Sequence, residues 1–323
     1  MQSSPRYSVI VPVYNRPEEI RELLESLTQQ TVTDFEVIIV EDGSEKRCDV
    51  VVDEFRDRLH VQYIFKPNSG PGPSRNMGFS KAKGEYFVVF DSDCLIPPRY
   101  FEAVDKKRNE EEFDAWGGPD RSHESFTPLQ QAMAYTMSSP LTTGGIRGGE
   151  KHLGTFQPRS FNMGISKTVY KKTQGFRFTR FAEDIELSIR MEKDGFKAVL
   201  VPEAYVYHKR RTSLSEFYKQ VSNFGKGRVQ VGRAHKHAVK PTHWLPALFT
   251  LGLLMLPVLI VFGTGLFITG VAAYFLYAIF ILIDSFRTSK NPLVSFLSVP
   301  SAFVQLIGYG IGFLSEWNNR PRQ

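Results

Sequence analysis

Through its first 243 residues the chain alternates short apolar runs with helix-patterned polar segments, and after that it turns almost wholly apolar. Tyr7–Val13 is β-rich, Phe35–Val40 is continuously apolar apart from Glu36, and Val61–Phe65 and Glu85–Phe90 repeat the pattern. Helical segments are predicted between these runs. Pro17 suits a first turn, Glu18 and Glu19 suit its positive end, and Ile20, Leu23, Leu24 and Leu27 recur on one face. Val50, Val51 and Phe55 mark a second helix, and a third is expected from Ser74 to Lys83, after a Gly/Pro loop. Apolar strands separated by helices predict a parallel sheet covered on both faces. In such sheets ligands bind beyond the carboxyl ends of the strands.

The acids sit where that rule points. Asp42 closes the second run, and the stretch YFVVFDSDCLIPP stops at Asp91 and Asp93. Carboxylates gathered on one rim repel one another, and a divalent metal with oxygen ligands is the simplest offset. An isolated Asp-x-Asp is more often a loop cap. Its place at a strand end, with Asp42 at another, is what brings the metal reading level.

Beyond Trp244 the pattern changes. The forty residues Trp244–Ile283 carry no charge, nor do Leu293–Leu314. Forty suffices for two spans of about 20 residues each. Spans are expected over 244–262, 265–283 and 293–314, within a membrane region at 244–316, after a catalytic domain at 1–208 and a basic segment at 209–243. Buried helices of a soluble domain are the alternative, and charge-free runs of this length disfavour it. Pro246, Pro257 and Pro300 are tolerated in membrane helices. Tyr309 and Trp317 suit an interface.

Charge then sets the orientation. The net charge of +6 and pI of about 9.1 are only mildly basic, but Val206–His243 holds nine Lys or Arg against one acid, Glu216. This places that segment, and the catalytic domain before it, on the cytoplasmic side of a plasma or inner membrane. Three full spans would leave Arg320 and Arg322 outside, so the third stretch is either a span or a re-entrant or interfacial segment. Two cysteines, Cys48 and Cys94, make no disulfide framework and fit a reducing setting. The N-terminus does not read as a signal peptide. Nucleic acid is the weakest reading of the basic residues, because lipid is the nearer anion.

Six segments occur in order: YSVIVPVYNRPEEIRELLESL, FEVIIVEDGS, NSGPGPSRNMGF, GEYFVVFDSDC, FNMGISKTVY and FAEDIELSIRMEKDGF. Together they resemble the family 2 glycosyltransferases of the GT-A fold, over roughly residues 7–208. The resemblance implies an α/β fold with a Rossmann-like mixed sheet flanked by helices, here followed by C-terminal transmembrane helices. It implies inverting transfer of a sugar from a nucleotide-diphosphate donor, usually a UDP-sugar, to an acceptor hydroxyl. Pro12 and Tyr14 would line the nucleotide pocket, Asp42 would bond the base, and Arg75 would lie near the base or phosphates. Asp91 would contact the ribose or metal side. Asp93 would hold a divalent metal, Mn2+ or Mg2+, and His208 can ligate it in this family. Asp184 would be the catalytic base, with Glu183 the neighbouring alternative.

Those roles make chemical sense. A metal neutralises charge on the leaving diphosphate, and a hydroxyl nucleophile needs a carboxylate within hydrogen-bond reach. Each residue also has a plainer reading. Asp184 fits a helix N-cap, and a lone histidine is usually a satisfied core or surface residue. Gly70, Gly72 and Gly78 are turn-formers rather than a phosphate cradle.

The acceptor side departs from the family. The Q-x-x-R-W motif of processive synthases is missing, and FYKQVSNFGKGR stands in its place. Residues 126–158 follow no family pattern, and read as an acceptor loop or a plain excursion. RTSLSEFYKQVSNFGKGR predicts a helix with a Ser213/Glu216 capping box and a face of Leu214, Phe217, Tyr218, Val221 and Phe224. It reads as an interfacial helix on anionic lipid or as an ordinary packed helix. The expected acceptor is a lipid-linked sugar or glycan. Rival readings are a nucleotidyltransferase, disfavoured by VPVYNRPEE after the first strand, and a non-catalytic membrane module that keeps the fold for binding.

Overall fold

The computed structural model describes residues 4–143 and 156–319. In chain order the elements begin with β1 (Tyr7–Val13), α1 (Pro17–Thr28), β2 (Phe35–Asp42), α2 (Asp49–Asp53), β3 (Val61–Lys66), α3 (Pro71–Lys81) and β4 (Tyr86–Phe90). Then come β5 (Cys94–Leu95), α4 (Tyr100–Glu110), β6 (Ala115–Gly117), β7 (Asp120–Arg121), α5 (Pro128–Ser138), α6 (Pro140–Thr143), β8 (Asn162–Ser166), α7 (Lys167–Thr173) and α8 (Glu183–Lys193). The chain closes with β9 (Ala198–Leu200), β10 (Val206–His208), α9 (Leu214–Ala234), a 3-10 turn at Pro241–Trp244, α10 (Leu245–Phe262), α11 (Thr264–Ser289) and α12 (Pro292–Asn318).

These elements form two compact units. One comprises the sheet and its helices, within residues 1–121 and 150–209. The other comprises α5, α6 and α9–α12. The segment with no family pattern is thus divided: α5 and α6 group with the C-terminal helices, 144–155 lie outside the described residues, and 156–158 belong to the sheet unit.

The sheet runs β3-β2-β1-β4-β8-β6-β9. β3, β2, β1 and β4 are parallel, as the alternating pattern predicts, and β8 is antiparallel to both β4 and β6, which makes the sheet mixed. Side chains of successive residues point to opposite faces. Val9, Val11, Val88 and Phe90 therefore join one core cluster, while Ile10, Phe87 and Val89 join the other. The chain steps outward from β1 to β2 to β3, then returns to place β4 on the other side of β1. That reversal opens a crevice at the carboxyl ends of β1 and β4, where open α/β sheets bind ligands.

In the helical unit, α10, α11 and α12 are each long and apolar enough to cross a membrane. The apolar face of α9 is not open to lipid. Phe217 and Val221 pack with Met133 and Met137 of α5, and Gly225 brings α9 so close to α12 that an added Cβ would stand 2.2 Å from the Tyr309 carbonyl oxygen. The capping box of α9 holds on one side, where Glu216 N–H donates to Ser213 Oγ at 3.2 Å.

Candidate active site

Three loops meet the crevice. After β1, Asn15 takes a positive φ of 55° and ties two loops together. Its amide donates to Ser44 Oγ at 2.8 Å, and its Oδ1 accepts from the amides of Glu45 and Lys46 at 2.8 and 3.0 Å. The turn leaves Tyr14 about half exposed and aims Arg16 at the loop after β4. Pro12 lies partly buried in β1, paired in register with Val40.

Asp42, the last residue of β2, is 4% exposed and committed within the loop that follows β3. Lys66 pairs with it, and the amides of Ser69 and Gly70 donate to its two oxygens at 2.8 Å each. Burial pushes the Asp42 carboxyl up, but Lys66 and the two amides outweigh it and hold the group below its ordinary range. Gly70 has φ +99°, and an added Cβ there would stand 2.6 Å from the Thr179 carbonyl oxygen. The close approach and the backbone angle both require glycine. The sequence reading of this glycine as a turn-former matches that geometry.

Asp93 is a second nearly buried carboxylate of the rim. It is 7% exposed, with His208 Nε2 3.2 Å from Oδ1 and the Arg16 guanidinium on Oδ2. The short strand β5 brings the histidine there, because Cys94 pairs directly with His208 of β10, and the Lys209 amide donates to the Asp93 carbonyl at 3.0 Å. Burial alone would push the Asp93 carboxyl up, yet His208 and Arg16 together hold it well below the usual carboxylate range. For His208 the balance runs the other way: burial lowers it, Asp93 and Asp91 raise it, and the net is upward. Its Nδ1 has no hydrogen-bond partner among the described residues.

Asp91 lies one step outward and partly exposed. Arg75 of α3 is almost fully buried and bridges it to Glu183, with Nη2 2.7 Å from Asp91 and Nη1 2.6 Å from Glu183. Arg75 is therefore a strut between two carboxylates. Burial pushes the Glu183 carboxyl up, Arg75 opposes this, Asp184 adds to it, and the net is upward.

Asp184 stands in the first turn of α8, whose N-cap is Ala182 at φ 55°. The side chain still serves the helix end: Oδ1 accepts from the Ile185 amide at 2.8 Å. Among the described residues Oδ2 has only longer partners, the Ser160 amide at 3.4 Å and Arg159 Nη1 at 4.0 Å.

Arg75 thus joins Asp91 to Glu183, with Asp184 next in the chain, while Arg16 and His208 flank Asp93 and Asp42 is latched to its own loop. Sequence reasoning missed Arg16 and Lys66. Both signals were present: Arg16 follows the first strand directly, and Lys66 ends the third. Like charges on a rim call for cations, and Arg16, Lys66, Arg75 and His208 provide them from the chain itself.

One ligand atom each from Asp93, Cys94 and His208 lies within 4.8 Å of the others. A carboxylate oxygen and an imidazole nitrogen suit Mn2+, and the oxygen suits Mg2+, whereas the thiol is soft and adds little for either.

Comparison with known proteins places this geometry. The family model described as glycosyl transferase family 2 matches residues 8–173, over half the chain, and that of glycosyl transferase family group 2 matches 160–283. A Bacillus subtilis protein described as uncharacterized glycosyltransferase EpsJ is 24% identical over 225 residues, covering 66% of this chain and 63% of that protein. An uncharacterized glycosyltransferase of Haemophilus influenzae is 44% identical over 93 residues, 28% of this chain and 31% of its own length. One from Rickettsia bellii is 32% identical over 143 residues, 44% of this chain and 20% of its own. The chain thus spans less than two thirds of these curated relatives. Among solved structures, a mannosyltransferase from Pyrobaculum calidifontis in complex with GDP-Man and Mn2+ aligns over 97% of this chain and 88% of its own, with TM-score 0.60 and 18% identity. TarS of S. aureus, residues 1–349 with UDP-GlcNAc, aligns over 92% of this chain and 91% of its own, with TM-score 0.51 and 18% identity. At these identities the likeness is one of fold.

Proposed function

The chain belongs to glycosyl transferase family 2, and from that premise we propose that it moves a sugar from a nucleoside-diphosphate donor to an acceptor hydroxyl, with inversion at the anomeric carbon. The observation that carries the reading is the buried Asp93–His208 pair, set at the crevice where β4 returns beside β1. Burying a carboxylate is costly unless it is paired. A charge held at a strand end, with a histidine brought to it by a separate strand, supports a ligand-binding role over a loop cap.

The residues divide the work. Tyr14 offers an exposed ring to the nucleoside, with Pro12 behind it. Asp42 meets the base while holding the 67–70 loop. Arg75 acts through Asp91, fixing it on the donor side. Asp93 and His208 would hold a divalent cation, Mn2+ or Mg2+, which offsets the negative charge of the leaving diphosphate. Arg16 keeps Asp93 ionised.

Asp184 is the base. Its Oδ2 is less tightly engaged than any oxygen of Asp42 or Asp93, and it stands on a different element from Asp93, as attack from the face opposite the leaving group requires. It takes the proton of the acceptor hydroxyl. The hydroxyl oxygen bonds to the anomeric carbon as the bond from that carbon to the β-phosphate oxygen breaks, and the nucleoside diphosphate leaves with the electron pair. Glu183 is the poorer candidate, because Arg75 already occupies it.

The two structural neighbours were solved with donors of different base and sugar, GDP-Man and UDP-GlcNAc. We take a UDP-sugar as the donor here, on the family resemblance. The acceptor is a lipid-linked sugar or glycan at the membrane, and the catalytic unit faces the cytoplasm, on the strength of the basic residues ahead of Trp244. Transfer assays with donor and either soluble or lipid-linked acceptor sugars test this. Strong preference for the lipid-linked acceptor is expected, and equal rates on both would count against it.

A further inference from the structure

The helices α10, α11 and α12 are each long and apolar enough for a span, but α12 is the least apolar, with a mean hydropathy of 1.5 against 2.5 and 2.4, and its setting differs. Of the most apolar 18 residues, half are buried in α12, against 11% in the helix ending at Phe262 and 6% in α11. Their contacts say why. α10 and α11 form an antiparallel hairpin: Phe249 packs on Tyr274 at 4.9 Å, the Tyr274 hydroxyl donates to the Phe249 carbonyl at 2.7 Å, and an added Cβ on Gly270 would stand 2.6 Å from Leu256. The start of α10 and the end of α11 therefore share one end, and the 262–266 turn is the other.

α12 touches that shared base at both of its own ends. Near its start, Ser298 Oγ lies 2.8 Å from Ser285 Oγ, close to the end of α11. In its middle, Phe303 packs on Phe249 at 5.4 Å and on Tyr277 at 6.0 Å. Near its finish, Phe313 and Trp317 pack on Trp244 at 4.9 and 4.8 Å, at the very start of α10. A third span starting level with Ser285 would end level with the 262–266 turn. α12 ends instead where the first span begins.

We propose that α12 does not cross the membrane but lies across the base of a two-span hairpin, embedded in the headgroup layer of the bilayer together with α9. The company of α9 supports this independently. Gly312 lets α9 approach so closely that an added Cβ would stand 2.0 Å from the Ser222 carbonyl oxygen, and Arg233 Nη1 reaches Glu316 at 2.8 Å. Thus α9 runs beside the last third of α12, carrying Lys219, Lys226, Arg228 and Arg233. Cations such as these are costly to place at the centre of a bilayer. A helix with four of them belongs in the headgroup layer, and so does the helix packed along it.

The partner of the outer surface is lipid. The far part of the hairpin is apolar and open, with Val261 84%, Phe262 70% and Leu254 66% exposed, and α12 adds Phe296 at 69% and Leu293 at 54%. The 18 residues of α10 span about 27 Å, close to the roughly 30 Å hydrocarbon core. This topology also keeps the end of α12 on the same side as Arg287, Lys290 and the basic segment before Trp244, so the charge conflict that a three-span chain raises does not arise.

Single-cysteine variants of the full chain test the topology. Lys236→Cys, Thr264→Cys and Asn318→Cys each add a thiol at an exposed position, and the native Cys48 and Cys94 are buried, so the unsubstituted chain gives the background. A membrane-impermeant maleimide is applied to intact cells and to inverted membranes. Asn318→Cys is expected to label in the same preparation as Lys236→Cys, at least tenfold over the other, with Thr264→Cys labelling in the opposite one. Asn318→Cys labelling with Thr264→Cys would establish a third span and overturn the proposal.

Discussion

The two units bury opposite things. In the sheet unit Leu23, Leu24 and Leu27 are fully buried, and Arg75, Asp93 and His208 are nearly so. In the helical unit Val261 and Phe262 lie open, while Ser285, Ser295, Ser298 and Ser301 are shut inside. Each departs from the usual soluble arrangement in its own direction, and each departure marks a partner. On the proposed reading, buried charge in the sheet unit is held rigid for a ligand. Open apolar surface in the helical unit, over small polar residues that let helices approach, is what a bilayer requires.

Four tests sharpen that contrast. The largest effect is expected from Asp184→Asn, which keeps an oxygen for the Ile185 amide but removes the proposed base. kcat should fall by about 10²–10⁴-fold with little change in melting temperature. A large drop in stability with a modest rate loss would return Asp184 to its helix-cap reading.

Arg75→Met follows. It leaves Glu183 buried beside Asp184 with no cation, and chemical denaturation should show a loss of about 3–5 kcal/mol. A near-neutral outcome would mean the strut is not holding the rim.

Next is a matched pair of leucines. Leu24→Ala opens a cavity in the sheet core and should cost about 2–5 kcal/mol, whereas Leu254→Ala on the open hairpin should stay within about 0.5 kcal/mol in detergent. Equal costs would show that Leu254 has a protein partner rather than lipid.

The smallest effect concerns acid. The Asp42 carboxyl is held below its ordinary 3.8 in the folded chain. Its contribution to stability is then complete above that value and is lost as pH falls through the lower, folded value. Asp42→Asn should flatten the acid limb of a stability profile below about pH 4, leaving its shape near neutrality unchanged. An unaltered acid limb would mean that Lys66, Ser69 and Gly70 do not favour the charged form.

Much of the sheet unit was legible because its signals are local. Strands β1 to β4 follow from apolar runs, and Asp42, Asp91 and Asp93 follow from where those runs stop. The antiparallel β8 was not, since NMGIS has no feature that states direction. Nor was the latch on Asp42, because its partners come from a loop whose approach depends on Gly70 and on the distant Thr179. The pairing of Cys94 with His208 joins residues 114 positions apart, and only the fold reports it. In the helical unit, length and apolarity admit all three helices as spans, with α12 the least apolar. What separates α12 from the others is the glycine-lined contact with α9 and its two ends on one base, and hydropathy carries neither.

The central claim is a donor site built on Asp93. Calorimetric titration of UDP, GDP, CDP and CMP, with and without Mn2+, on detergent-solubilised wild type and Asp93→Ala tests it most directly. The account predicts metal-dependent binding of one nucleoside diphosphate that is lost in Asp93→Ala while the protein stays folded. Equal binding by the variant, or no nucleotide binding by well-folded wild type, would contradict it.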